Sequence, residues 1–122
     1  MESILIIDDD ENLCSVLKEE LSEVGYNTEF VNNGDAAFNY LVENPVDLVL
    51  LDLKMPGKDG FEVLKEIEMK EIKTKVIVLT AYADVKSAID SAKMGASDFI
   101  SKPYDFDELL ITIRKVLQKD NL

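Results

Sequence analysis

The sequence predicts an α/β fold, a doubly wound sheet of five parallel strands in the order 2-1-3-4-5 with helices on both faces. Three observations carry that expectation. Continuous branched apolar runs, Ile4-Leu5-Ile6-Ile7 and Leu48-Val49-Leu50-Leu51, read as strands buried on both faces, as a parallel sheet requires. Between such runs the apolar period switches to that of a helix. The connections are short, and right-handed crossovers then place helices on each side of the sheet.

The elements follow in order. After Ile4 to Ile7, a helical stripe runs through Leu13, Val16, Leu17, Leu21 and Val24, and Gly25 stands where a helix C′ glycine belongs. A short second strand lies near Thr28 to Val31. Asn32-Asn33-Gly34 turns into a helix carrying Ala37, Phe38, Leu41 and Val42, which Asn44-Pro45 breaks. The third strand, Val46 to Leu51, ends at Asp52, and a loop runs from Met55 to Gly60. Phe61, Leu64 and Ile67 mark the third helix. The fourth strand, Val76 to Leu79, ends at Thr80. Val85, Ala88, Ile89 and Ala92 form the stripe of the fourth helix, closed by Gly95. Phe99-Ile100 is a short fifth strand leading into Ser101-Lys102-Pro103. The last helix carries Phe106, Leu109, Leu110, Ile113, Val116 and Leu117.

At 122 residues, 1–122 reads as one domain, 47% hydrophobic and 31% charged, the balance of an ordinary globular protein. No apolar run approaches the roughly 18 residues of a membrane span, and the start lacks a signal-peptide pattern, so a cytoplasmic address and no membrane partner are expected. The lone Cys14 falls in a helical pattern and reads as a packing thiol. A net charge of −12 argues against nucleic acid as a direct partner. The chain has no histidine, which removes Ser-His-Asp and Cys-His catalysis and nearly all zinc sites.

In open α/β sheets, ligands collect outside the carboxyl ends of the strands. Two apolar runs there stop at carboxylates: Asp8 and Asp9 after the first, Asp52 after the third. Asp8 and Asp9 also read as an acidic cap for the first helix. Asp52 caps nothing, because Pro56, Gly57 and Gly60 delay the next helix. Thr80 reads alone as a β-branched strand residue or a cap, and Lys102 as a solvated charge. Jointly, however, Asp8, Asp52, Thr80 and Lys102 line one edge. Like charges that close need neutralising, and a hard divalent cation with oxygen ligands, Mg²⁺, suits them. Asp9 and Asp52 would hold it, with Asp8 orienting its water. Asp52 is then placed to be a nucleophile towards phosphorus, with Lys102 pairing with one phosphoryl oxygen and Thr80 hydrogen-bonding another.

Ile6-Ile7-Asp8-Asp9, Leu50-Leu51-Asp52 through Met55-Pro56-Gly57-Lys58-Asp59-Gly60, Thr80-Ala81 and Phe99-Ile100-Ser101-Lys102-Pro103 occur here in that order. Over essentially its full length the chain resembles the receiver domain of two-component response regulators. Within that family, Asp52-Leu53-Lys54 with Thr80-Ala81-Tyr82 resembles the single-domain regulator of the sporulation phosphorelay. Met94-Gly95-Ala96-Ser97-Asp98-Phe99 fits enhancer-dependent transcription regulators equally well.

The resemblance implies that Asp52 takes a phosphoryl group from a histidine kinase or histidine phosphotransfer protein and slowly loses it. Mg²⁺ would be held by Asp8, Asp9, Asp52 and the backbone carbonyl of Lys54, and the bond before Pro103 would be cis. Such a chain catalyses its own phosphorylation and dephosphorylation without turning over an external substrate. Its readout is a fourth-helix, fifth-strand and fifth-helix surface that controls an output protein or domain. Phe99 occupies the switch aromatic position beside Thr80, without the commoner tyrosine hydroxyl, and also reads as core. Lys54 and Tyr82, each two residues beyond a key group, are expected to tune the phosphoryl lifetime. Val16, Tyr104 and Ile111 are expected on a partner surface.

Other classes fit less well. An aspartate-nucleophile phosphatase wants an acid where Lys54 stands. A flavodoxin-like FMN protein shares the fold but needs a Ser/Thr/Gly-rich loop where Asp8-Asp9-Asp10 would repel phosphate. A receiver-like interaction module without phosphorylation normally lacks a key residue.

Overall fold

A computed structural model of the protein describes residues 1–118. Strands and helices alternate: β1 (Ser3–Ile7), α1 (Glu11–Glu23), β2 (Asn27–Val31), α2 (Gly34–Glu43), β3 (Leu48–Leu51), α3 (Gly60–Met69), β4 (Lys75–Thr80), α4 (Val85–Lys93), β5 (Asp98–Ser101) and α5 (Phe106–Gln118). The strands form one parallel sheet in the order β2-β1-β3-β4-β5. In register, Ile7 faces Val31 on one side and Leu51 on the other, and Leu51 in turn faces Val78. Strand ends that carry different chemistry are therefore brought level.

The side-chain period of two splits each inner strand between two cores. Leu5, Ile7, Val49, Leu51, Val76 and Val78 meet α2 and α3 through Ala37, Leu41, Val63, Leu64 and Ile67. Ile4, Ile6, Leu48, Leu50, Ile77 and Leu79 meet α1 and α5 through Cys14, Leu17, Leu21, Leu109, Ile113 and Val116. This double burial is why the strand runs are continuously apolar rather than alternating.

Several local expectations hold and several shift. Gly25 and Gly95 sit one residue past their helix C-caps with φ of +103° and +101°, conformations that favour glycine. The third strand begins at Leu48 and not Val46, because Asp47 bends there and accepts the Ser3 backbone N–H on its carboxylate at 2.8 Å. Val16 and Val24 lie off the buried face of α1, which is built from Cys14, Leu17 and Leu21. The largest departure is α4. Its expected stripe turns outward, with Val85 75% and Ile89 49% exposed, while Ser87 and Ser91 face in.

Candidate functional site

Asp8 directly follows β1, Asp52 follows β3, Thr80 closes β4 and Lys102 follows β5. Each of the three that lie beyond a strand is fixed by one more ladder bond. The Asp8 N–H donates to the Val31 carbonyl at 3.2 Å, Asp52 to Ile7 at 2.9 Å and Lys102 to Thr80 at 2.9 Å. These groups are therefore held as rigidly as the sheet, the setting that precise chemistry needs.

Carboxylate oxygens of Asp8, Asp9 and Asp52 all lie within 4.8 Å of one another. Asp8 and Asp52 are buried and Asp9 is exposed. Lys102 partly offsets their charge: its Nζ donates to Asp8 Oδ2 at 2.7 Å and lies 3.6 Å from Asp52 Oδ2. Burial pushes the Asp8 carboxyl up from its ordinary range, against the bonds from Lys102 and the Asp10 N–H. Burial alone would lower Lys102, but the bond and charge of Asp8, reinforced by Asp52, raise it instead. Lys102, raised by its neighbours, stays an ammonium between the two carboxyl groups. The set still carries excess negative charge on hard oxygen donors, and those residues fit a small divalent cation.

The capping alternative for Asp8 and Asp9 is removed by their neighbour. Asp10 caps α1, accepting the Leu13 N–H at 3.1 Å, which leaves the two preceding carboxylates to the pocket. Thr80 is no cap either, since Asp84 caps α4 through the Ser87 N–H at 2.6 Å. The fully buried Thr80 hydroxyl donates to Asp52 Oδ1 at 2.7 Å and accepts the Tyr82 N–H at 3.1 Å. The Lys54 N–H lies 3.3 Å from the same Asp52 oxygen. Lys54 Nζ stands 4.6 Å from the centroid of the Tyr82 ring, so the two expected tuning residues touch each other.

Some contributors were not read from the sequence. A Cβ on Gly60 would strike the Asp52 carbonyl oxygen and come 2.6 Å from Leu53 Cα, so only glycine lets α3 begin against the strand end. Its signal was the Pro56-Gly57-Lys58-Asp59-Gly60 run itself. Lys58 ties α2 to α3, its Nζ 3.2 Å from Asp35 and 2.9 Å from Glu66. Asn32 donates to the Asp8 carbonyl at 2.9 Å.

The remaining expected residues lie elsewhere. Phe99 is half-buried and packs on the α2–α3 side core. Val16 and Ile111 are exposed on α1 and α5. Tyr104 is half-buried, and its hydroxyl donates to Glu20 at 2.6 Å. The Lys102–Pro103 peptide is cis. Cys14 is buried, its thiol pushed up to about 12 by burial, a packing thiol without nucleophilic character. Among the described residues no helix is long and apolar enough to cross a membrane.

Comparison with known proteins agrees with this geometry. The family model for the response regulator receiver domain matches residues 4–114. The regulatory protein AtoC of Escherichia coli is 38% identical over 98% of this chain, which spans 26% of that protein. Sporulation initiation phosphotransferase F of Bacillus subtilis is 37% identical over 95% of this chain and 94% of its own length. Thus the chain spans about a quarter of one relative and nearly all of the other. Among solved structures, a receiver domain from Methanospirillum hungatei superposes with a TM-score of 0.94 at 28% identity, covering 99% of this chain and 97% of its own. The response regulator TrrA of Thermotoga maritima, solved in complex with Mg²⁺-BeF, gives 0.85 at 40% identity, covering 95% and 99%.

Proposed function

The chain belongs to the response regulator receiver domain family, and on that footing we propose that Asp52 is its phosphoacceptor, within a receiver unit of residues 1–122. The observation that carries the reading is the convergence on one buried carboxylate. Asp52 is 6% exposed, bound by the Thr80 hydroxyl and faced by Lys102, with Asp8 and Asp9 in ligand range.

One oxygen of Asp52 attacks the phosphorus of a partner's phosphohistidine. The P–N bond breaks, and its electron pair returns to the imidazole nitrogen, which takes a proton from water. That histidine lies outside these 122 residues, which contain none. Asp8, Asp9, Asp52 and the Lys54 carbonyl would hold Mg²⁺, which when bound supplies positive charge to the phosphoryl oxygens. The TrrA complex supports that choice of ion. Lys102 pairs with one phosphoryl oxygen and the Thr80 hydroxyl donates to another. Passing the Thr80 hydroxyl from Asp52 to a phosphoryl oxygen changes the packing around Phe99 and biases α4, β5 and α5 towards a partner-binding state. Lys54 and Tyr82 stack together beside Asp52 and tune how fast water removes the group. A sensor histidine kinase or phosphotransfer protein delivers it, and an output protein or domain reads it, with Val16, Tyr104 and Ile111 on the contact surfaces. A cytoplasmic address is part of the same reading.

Incubation with a small phosphodonor and Mg²⁺, followed by intact mass, tests the reading. The wild type should gain one phosphoryl mass and Asp52→Ala none; no gain in the wild type, or an equal gain in the variant, overturns it. Followed over time, replacement of Lys54 and Tyr82 by alanine should change the decay rate, and an unchanged rate sinks their tuning role.

A further inference from the structure

Two asparagines follow β2, and they do different work. Asn33 is accounted for by the helix it precedes: its side chain accepts the Ala36 N–H at 2.8 Å and caps α2. Asn32 caps nothing. Its side chain turns the other way, and Nδ2 donates to the backbone carbonyl of Asp8 at 2.9 Å, 3.7 Å from Cys14 Sγ.

That carbonyl lies just beyond the β1 ladder, whose last paired residue is Ile7. Its other donor is the Cys14 thiol at 3.5 Å, a weak one. The Asp8 N–H is meanwhile held by the Val31 carbonyl. Asn32 is thus the strong clamp on the peptide unit joining Asp8 to Asp9. Both residues contribute carboxylates to the acidic cluster, and rotation of the peptide between them would swing the two relative to each other.

We propose that Asn32 is a positioning residue for the acidic site, holding the Asp8–Asp9 peptide in the orientation that a small, octahedral divalent cation demands. The inference rests on the reading that this cluster holds such a cation. Mg²⁺ tolerates little departure from ideal geometry, whereas Ca²⁺ accepts six to eight oxygens in flexible arrangements. Loosening the Asp8–Asp9 peptide therefore weakens Mg²⁺ more than Ca²⁺, and the selectivity between them narrows. Outer partners of metal ligands typically change affinity by about 10–100-fold when removed.

The test is calorimetric titration of magnesium chloride and of calcium chloride into the wild type, Asn32→Ala, Asn32→Leu and Asn33→Ala, with thermal melts of each. Asn32→Leu keeps the branched shape and removes the amide, donor and acceptor alike. Both Asn32 variants should bind Mg²⁺ about tenfold more weakly, with a smaller loss for Ca²⁺. Asn33→Ala should lower the melting temperature and leave both affinities unchanged. A wild type that binds neither cation overturns the cation reading, and this inference with it. A wild type that binds Mg²⁺, beside a folded Asn32 variant with the same Mg²⁺ to Ca²⁺ ratio, overturns this inference alone.

Discussion

α3 and α4 lie on the same side of the sheet and are held there by different means. α3 sets Val63, Leu64 and Ile67 into the core against Val49, Leu51, Val76 and Val78. α4 buries two serines, and Ser91 spends its hydroxyl on the Ala88 carbonyl of its own helix. It meets the core mainly at its C-terminal end, where Met94 packs. Burial contributes roughly 25 cal/mol per Å² of apolar surface, so α3 is anchored and α4 is only laid down. The weaker helix is also the one that follows Thr80, the hydroxyl bound to Asp52. A helix held by little apolar area is drawn from the low-stability end of a fold and shifts at small cost.

The contrast breaks or sharpens under substitution. Leu64→Ala removes a fully buried anchor of α3 and should lower unfolding free energy by about 2–5 kcal/mol in a denaturant titration; a loss below about 1 kcal/mol would remove the contrast. Asp84→Ala removes the cap of α4 and should speed amide exchange within α4 while leaving α3 unchanged. The bond from the Ser87 N–H holds the Asp84 carboxyl below its ordinary 3.8. Its cap is therefore complete above that value and lost as pH falls through the lower folded one, so acid should loosen wild-type α4 in the same way. Exchange spreading equally into α3 would show the two helices opening as one. The smallest effect belongs to Ile89→Ala. With its side chain outside, stability should stay within about 0.5 kcal/mol, and a larger loss would mean that this face is covered in solution.

Strand runs, strand order and the edge that carries Asp8, Asp52, Thr80 and Lys102 were legible in the sequence. A strand buried on both faces announces itself in four or five adjacent residues, and the residue ending it has nowhere to go but the sheet edge. The helices were legible as elements, and for α1, α2, α3 and α5 largely as orientations, but the orientation of α4 was not. Val85, Ala88, Ile89 and Ala92 make a sound amphipathic stripe, yet hydrophobic attraction is not directional, and a stripe does not say what will cover it.

By itself, then, the sequence determined the α/β alternation, the acidic pocket and a chain of 122 residues without histidine. Tertiary structure alone decided which of three consecutive aspartates caps α1, which of two asparagines reaches Asp8, and why position 60 admits only glycine. The cap is a local bond, Asp10 accepting the Leu13 N–H. Contacts between different parts of the chain hold its neighbour Asp8 in the pocket and settle the other two choices: Lys102 with Asp8, Asn32 with Asp8, Gly60 with the carbonyl of Asp52. Hydrogen bonds and steric limits act over a few ångströms of space, and only the assembled sheet brings those partners within that range.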